Sequence, residues 1–318
     1  MFAPCSLPLN ALAVADTFRY GTKALIRIMN IGAIALEFDQ GSDLRSIDVL
    51  DYRGKDATPQ VVMTNLEEVK ALQVRRVHFA NFIAACLLGR VAARKHRSLS
   101  GVRYSGLDQI CAFIVHGQAI QLPPSETHHF LVLARQQIAT VQSGQKSNDV
   151  FAPTDLQDAI QFIERLHQRA SQFSSLDIEA SIVMSYQAAI LHNQQQAAAC
   201  FALSFSVIES LVHEVILAHG LVSGVPASAF AKSVQAGHQL SLAQFGKANF
   251  ERRLKLLHSV GLIKNYLYQR LDDARKKRNG LMHKGERITP MDSGDCLTMI
   301  RDILGLLIEQ PFELNMPW

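Results

Sequence analysis

The chain has 318 residues, a length that as a prior suits two domains, and 48% of them are hydrophobic, which suits a folded core and excludes a disordered chain. Its net charge is +4, too small by itself to name a partner. No uninterrupted apolar run reaches the ~18 residues that a bilayer span needs, so no membrane is expected. Residues 1–15 carry no basic residue ahead of their apolar stretch and make a poor secretory signal. The five cysteines (Cys5, Cys86, Cys111, Cys200, Cys296) are scattered and never form a C-x-x-C pair, which predicts free, mostly core thiols and a cytoplasmic location.

The first half mixes signals. Residues 23–39 and 46–52 are rich in Ile, Val and Phe, with Gly32 and Gly41-Ser42 as breaks, and read as short strands. Residues 65–96 read as helical and end in the basic run 94–97. A further α/β stretch extends to about residue 138. The polar segment 143–148 contains no apolar residue and is the expected boundary. This divides the chain into a mixed α/β domain, 1–148, and a helical domain, 149–318, or α+β overall.

Beyond the boundary the period changes to that of helices. Thr154-Asp155-Leu156-Gln157 has capping-box spacing and opens a helix to about residue 169. Further helices are expected at 176–192, 194–217, 250–260, 262–283 and 295–309, with a Gly/Ser/Ala-rich connection over 220–247. Gly220, Gly261 and Gly285 serve as stops. Six helices with no strand pattern between them predict an all-α bundle.

Charge is unevenly spread. Residues 1–150 hold 16 Lys/Arg and 12 Asp/Glu, whereas 151–318 hold 16 of each. Within that neutral half, residues 247–287 hold 12 basic and 4 acidic residues. Two readings fit: a footprint for a polyanion, or a basic face paired with the domain's own acidic groups or with a partner.

The helix at 262–283 concentrates the chemistry. Leu267, Leu271, Ala274, Leu281 and Met282 define its apolar stripe, and Arg278 falls on it. An unpaired interior charge costs several kcal/mol. Arg278 therefore requires a facing acid or a cleft. Glu209, inside the apolar run 201–217, is the expected partner, and truncating either member of a fully buried pair should cost about 3–5 kcal/mol. Asn279 and His283 are i,i+4 neighbours on the adjoining flank. Histidine moves protons near neutral pH, and arginine grips phosphate and stabilises its transition state. His283 as acid or base, Arg278 on the phosphate and Asn279 positioning a hydroxyl suffice for RNA cleavage by its own 2′-hydroxyl, without metal or cofactor. The plainer alternatives are a surface histidine stabilised by the helix dipole, a solvated basic face and a purely structural Glu209. The adjacent His128-His129 and the cysteine spacing fit no zinc site, and neither a Gly-rich phosphate loop nor G-x-S-x-G is present.

Arg278-Asn279-x-x-x-His283, with an Ala-Arg helix before it and Gly285 after, resembles the R-x(4–6)-H signature of HEPN domains. Ser206-Val207-Ile208-Glu209-Ser210-Leu211 and the Leu-rich helix closing on Gly261-Leu262-Ile263 resemble the Apea-like branch. The resemblance covers about residues 175–309. It implies a helical bundle with Arg278, His283 and Asn279 in the catalytic places and Glu209 in the structural polar place. Arg275, Lys276, Lys277 and Lys284 are the expected RNA contacts. The family likeness further implies a homodimer with a composite cleft and a metal-independent endoribonuclease, plausibly a toxin or antiviral defence effector. The alternative it leaves open is a non-catalytic interaction module acting through protein partners or nucleotide binding. Gly280 departs from a good helix former by about 1 kcal/mol and is expected to loosen or kink its turn. Residues 1–148 are expected to recognise a trigger, a protein partner or the substrate.

Overall fold

The computed structural model describes residues 14–29, 34–38, nine helical positions between 75 and 90, 113–115, 118–120, 153–173, 175–229, 231, 239–310, 312 and 314. The expected strand at 46–52, the polar break at 143–148, the run 94–97 and His128-His129 lie outside the described residues. The chain forms two compact units, Met1–Leu87 with Gly101–Ile163, and Leu88–Ser100 with Glu164–Trp318. The class is α+β.

In the first unit, β1 (Val14–Tyr20), β2 (Ala24–Met29) and β3 (Ile34–Phe38) form an antiparallel sheet in the order β1-β2-β3. β1 alternates as a half-buried strand should: Thr17 and Arg19 are exposed while Phe18 and Tyr20 are buried. Gly21, at φ 52°, turns the chain into β2, where Tyr20 pairs with Ala24. The helical positions Phe79, Phe82, Ile83 and Cys86 are buried at 3/4 spacing. Tyr20 lies 5.3 Å from Phe79 and 5.7 Å from Phe82, ring centre to ring centre, so sheet and helix share one aromatic core. β4 (Phe113–Val115) and β5 (Gln118–Ile120) make a separate antiparallel pair.

Helix α1 (Pro153–Ala170) is divided between the two units. The second unit continues with α2 (Ile178–Asn193), α3 (Ala197–Ala218), α4 (Leu242–Lys247), α5 (Phe250–Ser259), α6 (Asn265–Lys284) and α7 (Pro290–Ile308). α3 is its central element and packs on α2, α5, α6 and α7. Its buried residues include Phe201, Phe205, Ile208, Leu211, Val212 and Val215. At 22 residues, α3 is long and apolar enough to cross a membrane by length and average composition, although no uninterrupted apolar run of that length occurs in it. Its polar residues interrupt the run without lowering its average enough. In the bundle most of it is buried, including the carboxylate of Glu214, which accepts hydrogen bonds from the Ser175 backbone N–H (3.0 Å) and hydroxyl (2.9 Å).

Two boundaries differ from expectation. α7 begins at Pro290 rather than near 295. Pro290 opens the helix instead of merely lying past the end of the previous one, with Thr289 and Asp292 forming a reciprocal capping box. The 220–247 connection contains α4, capped the same way by Ser241 and Gln244, and a parallel bridge from Val222 to Leu240. Cys86, Cys200 and Cys296 are buried, and burial pushes the Cys296 thiol up to about 12.

Candidate functional site

α6 presents the residues of interest over its last two turns. The helix runs unbroken through Gly280 and closes at Gly285, whose left-handed backbone (φ 65°) lets its N–H reach the Leu281 carbonyl at 3.2 Å. Gly280 does not kink the turn. Its missing side chain leaves room where the Glu286 carboxylate lies, and a Cβ there would collide with that carboxylate. Leu271 and Ala274 are buried as expected, but Met282 is 63% exposed, so the apolar stripe ends before the last turn.

Arg278 continues that stripe and is half-buried against α3. Its guanidinium lies 5.9 Å from the centre of the Phe205 ring, and Nη1 donates a weak 3.5 Å hydrogen bond to Asn279 Oδ1. The expected ion pair with Glu209 is not formed: no Arg278 nitrogen comes within 4.0 Å of that carboxylate. The cause is axial register. Phe205 and Glu209 lie one turn apart on α3, and α6 brings Arg278 to Phe205. Glu209 instead acts electrostatically on Arg253 of α5.

His283 is exposed and Asn279 half-buried. His283 lies five positions after Arg278, or roughly 140° around the helix and about 7.5 Å along it. Within one chain the imidazole therefore faces solvent while the guanidinium faces α3, and the two do not converge.

The surrounding cations are mostly matched by acids. Arg275 bonds Asp272 at 2.7 Å and approaches Glu251 at 3.6 Å. Lys276 holds Asp272 (2.8 Å) and Asp273 (3.3 Å), Lys277 holds Asp292, and Lys284 stands 4.0 Å from Glu286. Burial tends to raise the Asp272 carboxyl, but its bonds to Lys276 and Arg275 outweigh that and hold it below the ordinary range. All four expected RNA contacts thus have a carboxylate neighbour.

No family model, curated protein or solved structure matches this chain.

A second group of residues was not singled out in the sequence. Arg253 packs 5.0 Å over the buried Phe245 ring, and its Nε is buried without a hydrogen-bond partner. His213 lies 4.6 Å from the same ring, ring centre to ring centre. Burial, and then the nearby Arg253 charge, hold His213 below the usual histidine range. Burial likewise lowers Arg253, partly offset by Glu209. The available signal was the i,i+4 pair Glu209 and His213, which helical periodicity puts on one face beside Phe205.

Proposed function

We propose that this chain is a metal-independent endoribonuclease of the HEPN type, acting as a homodimer in which two copies of the α6 terminus complete one cleft. The observation that carries the reading is the state of Arg278. Its neighbours Arg275, Lys276 and Lys277 are each matched by a carboxylate, whereas Arg278 is half-buried with none among the described residues within 4.0 Å. Without the Glu209 partner, the plainest structural reason for a charge on that stripe is gone. A guanidinium with free valence suits a phosphate, and the imidazole that meets it there is supplied by the second copy across the proposed cleft.

In the proposed reaction His283 takes the proton from a 2′-hydroxyl, or delivers one to the leaving oxygen. The 2′-oxygen attacks phosphorus, the bond to the 5′-oxygen breaks, and that oxygen takes up a proton. Arg278 stabilises the charge on the phosphoryl oxygens and Asn279 orients the scissile group. The products are a 2′,3′-cyclic phosphate and a 5′-hydroxyl. The wider role proposed with it is a toxin or defence effector in the cytoplasm, with residues 1–148 engaging a protein partner.

Labelled RNA incubated with the pure protein in EDTA tests this. His283→Ala should lower cleavage by about 10²–10⁴-fold, the worth of an acid–base group, while melting temperature stays at the parental value because the side chain is exposed. Undiminished cutting by the variant removes His283 from the mechanism. A folded dimer that cuts no RNA favours the interaction module, a reading supported by the internal pairing of so many of its basic side chains.

A further inference from the structure

α3 carries Phe205, Glu209 and His213 at i, i+4 and i+8, one strip along the helix. Arg278 covers the Phe205 end, and Arg253 and Phe245 stand at the Glu209–His213 end. The strip borders a solvent edge made of small side chains: Ala202, Ser206 and Ser210 are all exposed. At that edge Glu209, His213 and Arg253 are half-buried and reach solution, while the Phe205 and Phe245 rings are buried beneath them.

Two groups at its centre have complementary bonding capacity that the protein itself leaves unused. Arg253 has a buried donor, Nε, with nothing accepting from it. Glu209 is half-buried, and none of the hydrogen bonds or ion pairs among the described residues uses its carboxylate. The two influence each other electrostatically yet lie more than 4.0 Å apart, so neither fills the other's bonding capacity. A buried donor left unmade is costly, which favours an occupant that supplies an acceptor to Arg253 and donors to Glu209. Guanidinium planes also take stacked bases in single-stranded RNA.

We propose that Glu209 and Arg253 form a base-reading site for guanine in the RNA strand whose phosphate Arg278 holds. Guanine fits because it presents two N–H donors, N1–H and N2–H, side by side for the two carboxylate oxygens, next to the O6 acceptor for the guanidinium. Adenine, cytosine and uracil each offer a carboxylate only one donor group on the corresponding edge. One to two helical turns separate the Arg278 and Arg253 ends of the strip, about 6–12 Å, a span that one or two nucleotides cover. Glu209 is a specificity residue in this arrangement and takes no part in bond breaking.

The proposal rests on the ribonuclease reading, and binding measured apart from cleavage separates the two. Equilibrium binding of GMP, AMP, CMP and UMP to the full chain should show GMP tighter by about tenfold or more. Glu209→Gln, nearly isosteric and half exposed, should bring GMP to the level of the other three with no change in melting temperature. Arg253→Lys, which keeps the charge and loses the planar fork, should weaken GMP more than AMP. A GMP preference without any RNA cleavage sustains the base site and removes the nuclease. His283-dependent cleavage with no preference for GMP, or a preference that survives Glu209→Gln, overturns the base site alone.

Discussion

Arg278→Ala separates a structural from a functional role for this residue. In the structure it gives up a cation–π contact at 5.9 Å, worth about 0.5–1 kcal/mol at a partly exposed site, and a 3.5 Å hydrogen bond too long to count for much. Some packing of its aliphatic stem over Phe205 goes as well. The expected loss is about 1–2 kcal/mol, against about 3–5 kcal/mol for breaking a buried ion pair. Urea denaturation of the parent, Arg278→Ala, Glu209→Ala and the double variant measures this directly. The cycle should give a coupling below about 0.5 kcal/mol, as for side chains with no shared bond. A coupling of about 2 kcal/mol or more between Arg278 and Glu209 would refute the register described here and restore the ion pair. The modest loss makes Arg278→Ala a usable activity test, since the variant should remain folded.

Gly280→Ala should stabilise the second unit. The helix gains about 1 kcal/mol of propensity, while the displaced Glu286 side chain is exposed and holds Lys284 only at 4.0 Å, so thermal melting should rise by about 2–4 °C. A fall in melting temperature would mean that Glu286 is held more firmly than its exposure suggests. Asp292→Asn should show a pH signature. Burial raises the Asp292 carboxyl, but the bonds from Lys277 and Thr289 prevail and hold it below the ordinary range. A carboxyl depressed in the folded state contributes stability above its unfolded pKa, and that contribution disappears as pH falls through the folded value. The variant should therefore melt earlier than the parent near neutrality, with the gap closing in acid; a constant gap would count against the charge interaction.

The helical half was largely legible because amphipathic period and stop residues are local. Leu271, Ala274 and Gly285 are enough to phase and end α6, and they do so in the structure. Three things were not readable from local pattern. Pro290 follows one helix and opens the next, and only the Thr289–Asp292 box shows which role dominates. β1 alternates plainly from Thr17 to Tyr20, but it lay against an N-terminal stretch weighed only as a signal sequence. The Glu209–Arg278 pair failed for a deeper reason. Periodicity gives the angle of a residue around its own helix, so both were correctly turned toward neighbouring elements. It carries nothing about how far one helix slides along another, and here that slide is one turn. Arg253 filled the place because it comes from α5, an element the pattern could phase but not position.

The pairing of cations with acids has a consequence for ion exchange. Of the 12 basic residues in 247–287, six (Lys255, Arg270, Arg275, Lys276, Lys277 and Lys284) already face a carboxylate within 4.0 Å. A phosphate that recruits one of these displaces a fixed protein anion and frees few small ions from solution. The entropy of counterion release then scales with the other six, Lys247, Arg252, Arg253, Lys264, Arg278 and Arg287. At about −0.7 per contact on a single strand, the steepest logarithmic dependence of affinity on salt would be about −4, where a count of charges would give about −8. A protein built this way grips a polyanion less tightly in dilute salt than its basic residues suggest, and loses less of that grip as the salt is raised.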